Sequence, residues 1–209
     1  MATTALIVEM IVIGTFGLGW VALFAFKFFG LEMSDVSGWL VQYKDWSTGI
    51  VLIAIVVAYQ LGWMVNQLSY FLARNTFNKP IKSKVFKDEV KNYDSIKTMV
   101  YMQGSPLIVE KVKERLSVVR LTRSAFVNFL LISIGLFVLE KWQAGLVALG
   151  ITVVFFILAR DMYSLYCNQV FNAYKVISVK QGKQFEDQIK SENLKTTVNN
   201  RRAKRRANI

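Results

Sequence analysis

Apolar residues in this chain are gathered into long blocks, and the charged residues fall between them. Four blocks stand out: about Leu6 to Phe29, Ile50 to Leu72, Phe126 to Leu139 and Leu146 to Tyr166. A soluble core would instead scatter apolar positions at helical or strand periods. About 20 apolar residues suffice to cross a bilayer, and at ~1.5 Å per residue all but the third block reach the roughly 30 Å of a hydrocarbon core. The third is short, so its helix must continue at the cytoplasmic end. The pattern predicts an all-α fold, a polytopic membrane four-helix bundle.

The polar connections carry their own pattern. From Val85 to Tyr101, apolar residues recur at Phe86, Val90, Tyr93, Ile96 and Val100, the spacing of an amphipathic helix. GSP follows at Gly104 to Pro106, with Ser105 placed as an N-cap and Pro106 suited to a first helical turn. From Pro106 no breaker intervenes before Gly135, which predicts one long helix running from the polar region into the third block. The fourth block is expected to continue as helix through Tyr174. From about Ser191 the chain is polar and ends near RRAKRR, the composition of a disordered tail. The reading divides the chain into residues 1–73 (helices one and two with an outer loop), 74–123 (a basic helical region), 124–166 (helices three and four) and 167–209 (a helix end and basic tail).

Charge sets the expected orientation. The chain has 209 residues, is 54% hydrophobic and carries a formal charge of +12. Twelve Lys/Arg lie between Arg74 and Arg123 and ten follow Asp161, against only Lys27, Lys44 and Lys141 in the other two connections. The positive-inside rule therefore puts both termini and the central region in the cytoplasm. The outer loops are short, and Trp39, Tyr43, Trp46 and Trp142 sit at the outer rim as interfacial aromatics do. The N-terminus lacks a basic flank and small-residue cleavage site, so the first block reads as a retained helix.

Candidate chemistry is sparse. The chain has no histidine and a single cysteine, Cys167, which removes the commonest general base, the commonest metal ligand and any intrachain disulfide. No nucleophile–base pair, metal cluster or phosphate loop is legible, so the expectation is a non-enzyme with no cofactor and no metal. Cys167 offers either a palmitoylation site or a buried inert thiol. What remains is a polar layer at inner-leaflet depth: Glu9, Asn66, Gln67, Arg123, Asn128, Arg160 and Asp161. Ionisable groups at membrane depth face the bundle interior and pair with one another. The expected pairing is Glu9 with Arg160 or Arg123, with Asn66 and Asn128 hydrogen-bonding across helices. A structural pin is favoured over a proton relay, because the outer two-thirds of the bundle holds no carboxylates.

Small residues mark expected close-packing faces: Thr15 with Gly19; Ala54, Ala58 and Gly62; Ala144, Ala148 and Thr152. These faces serve packing within one chain or between chains. The basic region and RRAKRR fit anionic lipid better than nucleic acid, since no aromatic residue interleaves them.

Three stretches carry a resemblance: LIVEMIVIG, AYQLGWMVNQL and RLTRSAFVN. With Glu9, then Tyr59, Leu61 and Gly62, then Arg120, Arg123 and Asn128, they resemble a loosely defined group of uncharacterised bacterial four-helix inner-membrane proteins. The group pattern has an Asp-Arg pair seven residues after the tyrosine, and this chain has Asn66-Gln67 there. Similar small membrane proteins accompany cytoplasmic partners in anti-phage systems such as retrons and Kiwa. The resemblance implies a non-enzymatic membrane component of a defence system, an oligomeric sensor or effector in the lipid bilayer with a cytoplasmic partner protein. Phe86, Tyr93, Lys111, Arg115 and Arg120 are the expected signal or partner surface. The alternatives are a channel or transporter with Glu9 in its path, and a membrane anchor for a cytoplasmic protein.

Overall fold

The computed structural model describes the backbone of residues 2–30, 47–87 and 92–207, and the side chains of residues 4–30, 48–87 and 92–179. The fold is all-α. Helix α1 spans Ala2–Phe29 and α2 spans Ser47–Ala73. A π turn, Arg74–Asn78, leads into α3, Lys79–Phe86; α4 spans Tyr93–Gln103, α5 Pro106–Val138 and α6 Trp142–Ala207. Four of these helices are long and apolar enough to cross a membrane. The aromatics Trp39, Tyr43 and Trp46 lie outside the described residues, whereas Trp142 is exposed as a rim residue would be.

The long-helix expectation holds. Helix α5 has 33 residues, about 50 Å of helix, so roughly 20 Å extends beyond a hydrocarbon core. Pro106 occupies its first turn and Ser105 its N-cap position in extended conformation, although the serine side chain makes no capping hydrogen bond. The connection to α6 is a tight turn: Glu140 adopts φ 60° while Leu139, Glu140 and Lys141 donate backbone N–H bonds to the carbonyls of Gly135, Phe137 and Leu136. Gly145 packs against the Phe137 ring just after it, where a Cβ would lie 2.6 Å from a ring carbon.

Two sequence expectations are corrected. The polar region is not one helix over Val85–Tyr101. It breaks after Phe86, where Lys87 takes φ 45°, and resumes at Tyr93. In one straight helix, residues seven apart lie about 10 Å apart along the axis. The break lets the chain double back so that the Phe86 and Tyr93 rings meet edge to face at 5.0 Å. The tail is also not an irregular chain from Ser191, since α6 continues as helical backbone to Ala207. Lys, Glu, Gln, Arg and Ala are good helix formers, and no proline or glycine follows Gly182 to stop them.

The π turn has a local cause. Pro80 has no N–H and its ring would clash with a carbonyl four residues earlier in an α-helix. Widening the preceding turn relieves that conflict and directs Phe77 and Asn78 inward, where both are buried.

Helix α5 is the centre of the bundle, packed against α1, α2 and α6. Helix α1 also lies along α2, and α6 meets α3 and α4. Two cores result. Met10, Ile13, Val65 and Val127 form the membrane core among α1, α2 and α5. A larger core joins Phe77, Phe86, Tyr93, Ile96 and Val100 to Val112 and Val119 of α5 and to Tyr163, Tyr166, Cys167 and Val170 of α6. It reaches into the apolar part of α6 at Ala159, where Phe156 stacks edge-on against Phe77 at 5.7 Å. Head and membrane bundle are thus one packed body sharing two uninterrupted helices. The outward faces of α2 and α6, including Leu52, Ile53, Val56, Leu146 and Val147, are exposed and apolar, as lipid-facing surfaces are.

Candidate functional site: a polar stair along helix α5

On helix α5, Ser117, Arg120, Ser124 and Asn128 recur at helical spacing, with Arg123 beside them. Spacings of three and four place these on the side of the helix facing α1 and α2. They form three successive steps, about 16 Å from first to last along the axis.

The first step holds Glu9. Its carboxylate accepts hydrogen bonds from Ser117 Oγ and, at 3.4 Å, from Arg120 Nη2. Arg120 Nε approaches the other carboxylate oxygen at 3.0 Å as an ion pair. The Glu9 side chain retains 11% exposure and Arg120 22%, so the pair is largely desolvated. This fork is closed by charge rather than by two hydrogen bonds, since neither Arg120 Nε nor Glu9 Oε2 has a hydrogen-bond partner among the described residues. The expected pairing with Arg160 or Arg123 is therefore corrected. Arg120, one turn nearer the head than Arg123, is the partner because Ser117 and Arg120 lie at the height of Glu9.

The second step is built on Arg123, which is 6% exposed. Its Nη2 donates to Asn66 Oδ1 at 2.9 Å and its Nε to Ser69 Oγ at 3.0 Å. Ser69 in turn donates to the Asn66 carbonyl at 2.8 Å and lies 3.4 Å from Ser124 Oγ. The Tyr70 ring centroid is 5.3 Å from the guanidinium carbon, close enough for a cation–π contact. The third step is Asn128. It donates to the Ile13 carbonyl at 2.9 Å and accepts from Trp20 Nε1 at 3.1 Å. Both amides bond across helices as expected, Asn66 from α2 to α5 and Asn128 from α5 to α1.

Gln67, Arg160 and Asp161 do not join the layer; all three are exposed. They alternate with buried neighbours, Ser69 on α2 and Ala159 on α6, so their side chains turn outward. Ser69, Ser117 and Ser124 are the members that the sequence reading missed. Their spacing to Asn66, Arg120 and Asn128 was the available signal.

The small-residue faces are settled in part. Ala58 and Gly62 are buried and Ala54 is half-buried, as expected of an α2 packing face. Thr15 and Gly19 are exposed, and the face of α1 that meets α2 is one residue round the helix, at Gly14. There a Cβ would lie 1.5 Å from the Ala58 carbonyl oxygen, and a Cβ on Gly62 would lie 1.8 Å from that of Met10. On α6, Ala148 and Thr152 are buried but Ala144 is exposed; Gly145 takes its place.

The expected partner surface is also divided. Phe86 and Tyr93 are buried in the head core, with Phe86 5.3 Å from the Phe171 ring, and Arg120 is held by Glu9. Only Lys111 and Arg115 are exposed. Burial raises the Tyr93 phenol well above its ordinary range and raises Tyr101 as well. The Lys82 ammonium lies 3.8 Å over the Tyr93 ring. Cys167 is fully buried, consistent with an inert thiol. Among the described residues no three His, Cys, Asp or Glu side chains converge as metal ligands.

The geometry defines a class, a polytopic helical membrane protein whose polar interior is arranged along one central helix. No family model matches the chain, and no curated protein or solved structure shows significant similarity to it.

Proposed function

We propose that the chain is a non-enzymatic component of a bacterial inner membrane, with both termini in the cytoplasm, that passes a signal between a cytoplasmic head and the bilayer. The observation that carries this reading is the continuity of α5 and α6. The head core around Phe86, Tyr93 and Tyr166 packs on α5 and α6, and α5 runs on without a break to join the membrane core and carry the polar stair. A partner that shifts α3 and α4 against α6 displaces rigid helices rather than a flexible linker. Lys111 and Arg115 supply an exposed basic surface on α5 for such a partner.

The defence role, as an oligomeric sensor or effector acting on the membrane, rests on analogy: LIVEMIVIG, AYQLGWMVNQL and RLTRSAFVN resemble uncharacterised four-helix inner-membrane proteins, and similar small membrane proteins accompany cytoplasmic partners in anti-phage systems. Expressing the chain with its genomic neighbours and reading membrane potential with a dye during phage infection tests it. The expected result is depolarisation on infection, lost in a Lys111→Glu, Arg115→Glu variant. Unchanged potential under every trigger removes the effector reading. The ion pair of Glu9 with Arg120 and its hydrogen bond from Ser117 favour a pin over an ion path, because a relay carboxylate needs exchangeable partners.

A further inference from the structure

A groove of about 1080 Å³ opens between the first turns of α1 and the head half of α5. Leu6 forms one apolar wall, and Val109 and Leu116 form another. The α5 side presents Glu110, Lys113 and Glu114 as a stripe at helical spacing, and Glu9 and Arg120 also line the groove. Glu9 lies only three residues, about 4.5 Å, below the start of the apolar run of α1, so the charged stripe sits at headgroup height and the apolar walls descend toward the acyl region.

We propose that this groove seats one phospholipid with a primary-ammonium headgroup, phosphatidylethanolamine. Charge selects the occupant. Glu9 and Arg120 neutralise each other, which leaves one ammonium between two carboxylates along the stripe. Lys113 and the free face of the Arg120 guanidinium meet a phosphate; Glu110 and Glu114 meet an ammonium beside it. A purely anionic headgroup would bring its charge against Glu110 and Glu114 with nothing to offer them. A choline headgroup has no N–H to donate and is recognised by cages of aromatic rings, whereas among the described residues Tyr101 alone of the aromatics lines the groove. The acyl chains follow Leu6 and Leu116 into the bilayer. This site is independent of any role in defence.

The test uses the full chain, purified in mild detergent and offered equal amounts of phosphatidylethanolamine, phosphatidylglycerol and phosphatidylcholine, with bound lipid counted by native mass spectrometry. Phosphatidylethanolamine should be retained in preference to the other two. Glu110→Gln with Glu114→Gln should lower its retention about tenfold relative to phosphatidylglycerol. Both side chains are exposed, so the fold should persist; circular dichroism and gel filtration verify this. Asp161→Asn, which removes a carboxylate elsewhere on the surface, should leave lipid selectivity unchanged. Preference for phosphatidylglycerol, retention of no lipid, a co-purifying peptide in place of lipid, or unchanged selectivity in the double variant would each overturn the proposal.

Discussion

Arg123, buried at the centre of the bundle, spends its Nη2 donor on the side-chain oxygen of Asn66, 2.9 Å away. The cation thus leans on an amide and a hydroxyl, and no carboxylate is among its hydrogen-bond or ion-pair partners within the described residues. The position of Asn66 matters, because an acid is expected there from the resemblance of the sequence, and an acid at that position would give Arg123 a counter-charge. Asn66→Asp should restore a charge-assisted pair and raise stability by about 1–2 kcal/mol, whereas Asn66→Ala should lower it by a similar amount. Thermal melts in one detergent check both, and an Asn66→Asp protein that melts below the parent would contradict the expectation.

The crossing of α1 and α2 depends on two glycines. The atoms that a Cβ at Gly14 or Gly62 would strike are backbone carbonyl oxygens, at 1.5 and 1.8 Å, so no rotamer change makes room. Alanine at either position must push the helices apart and weaken the packing of Met10 and Ala58. Gly14→Ala and Gly62→Ala should each destabilise by about 1–3 kcal/mol. Gly19→Ala should change little, since its Cβ would meet only the end of the Ile132 side chain at 3.9 Å. Equal melting temperatures for Gly14→Ala and Gly19→Ala would show that this crossing is not the tight one.

How much of this was legible in the sequence follows from what each signal encodes. Apolar block length reports bilayer crossing, so the four spanning helices and the long α5 could be read directly. Depth was legible only in part: counting from helix ends puts Glu9, Asn66 and Asn128 at one level, and the structure spreads them over three steps of the stair. Rotation about the helix axis was not legible. Thr15 and Gly14 differ by one residue, yet one faces outward and the other lies against α2. Arg120 and Arg123 differ by one turn, and only the relative height of α1 decides which of them meets Glu9. The break after Phe86 was hidden for another reason. Residues seven apart share a helical face whether the chain runs straight or folds back, so periodicity alone cannot distinguish the two.

The head core makes a pH prediction through its tyrosines. Burial raises Tyr93 and Tyr101 above the unfolded value of about 10. A group whose folded pKa is raised contributes stability that is fully present below its unfolded pKa and is lost as pH climbs toward the folded value. The contribution of these two tyrosines should therefore be constant up to about pH 10 and be lost above that, with Tyr93 contributing at most about 1.4 kcal/mol per pH unit. Tyr93→Phe should flatten the alkaline limb. A tyrosinate absorbance titration run beside thermal melts reads both quantities. Full tyrosine ionisation near pH 10 in the folded protein would mean that these rings are solvated.

The Glu9–Arg120 fork decides between a pin and a gate. If the pair is structural, its two residues are coupled and their identities are exchangeable within limits. Arg120→Ala strands a largely desolvated carboxylate, and Glu9→Ala strands a guanidinium; each should cost about 2–4 kcal/mol. The double variant should lose less than the sum of the singles, because neither stranded charge remains. Glu9→Gln keeps the shape and the Ser117 contact while removing the charge, so it should melt between the parent and Glu9→Ala. A path for ions makes the opposite demand. Glu9→Gln would then abolish flux in liposomes while the melt stays at the parental temperature. Additive single and double variants together with a flux defect in Glu9→Gln would replace the pin with a gate; strong coupling without any flux in the parent protein leaves the pin standing.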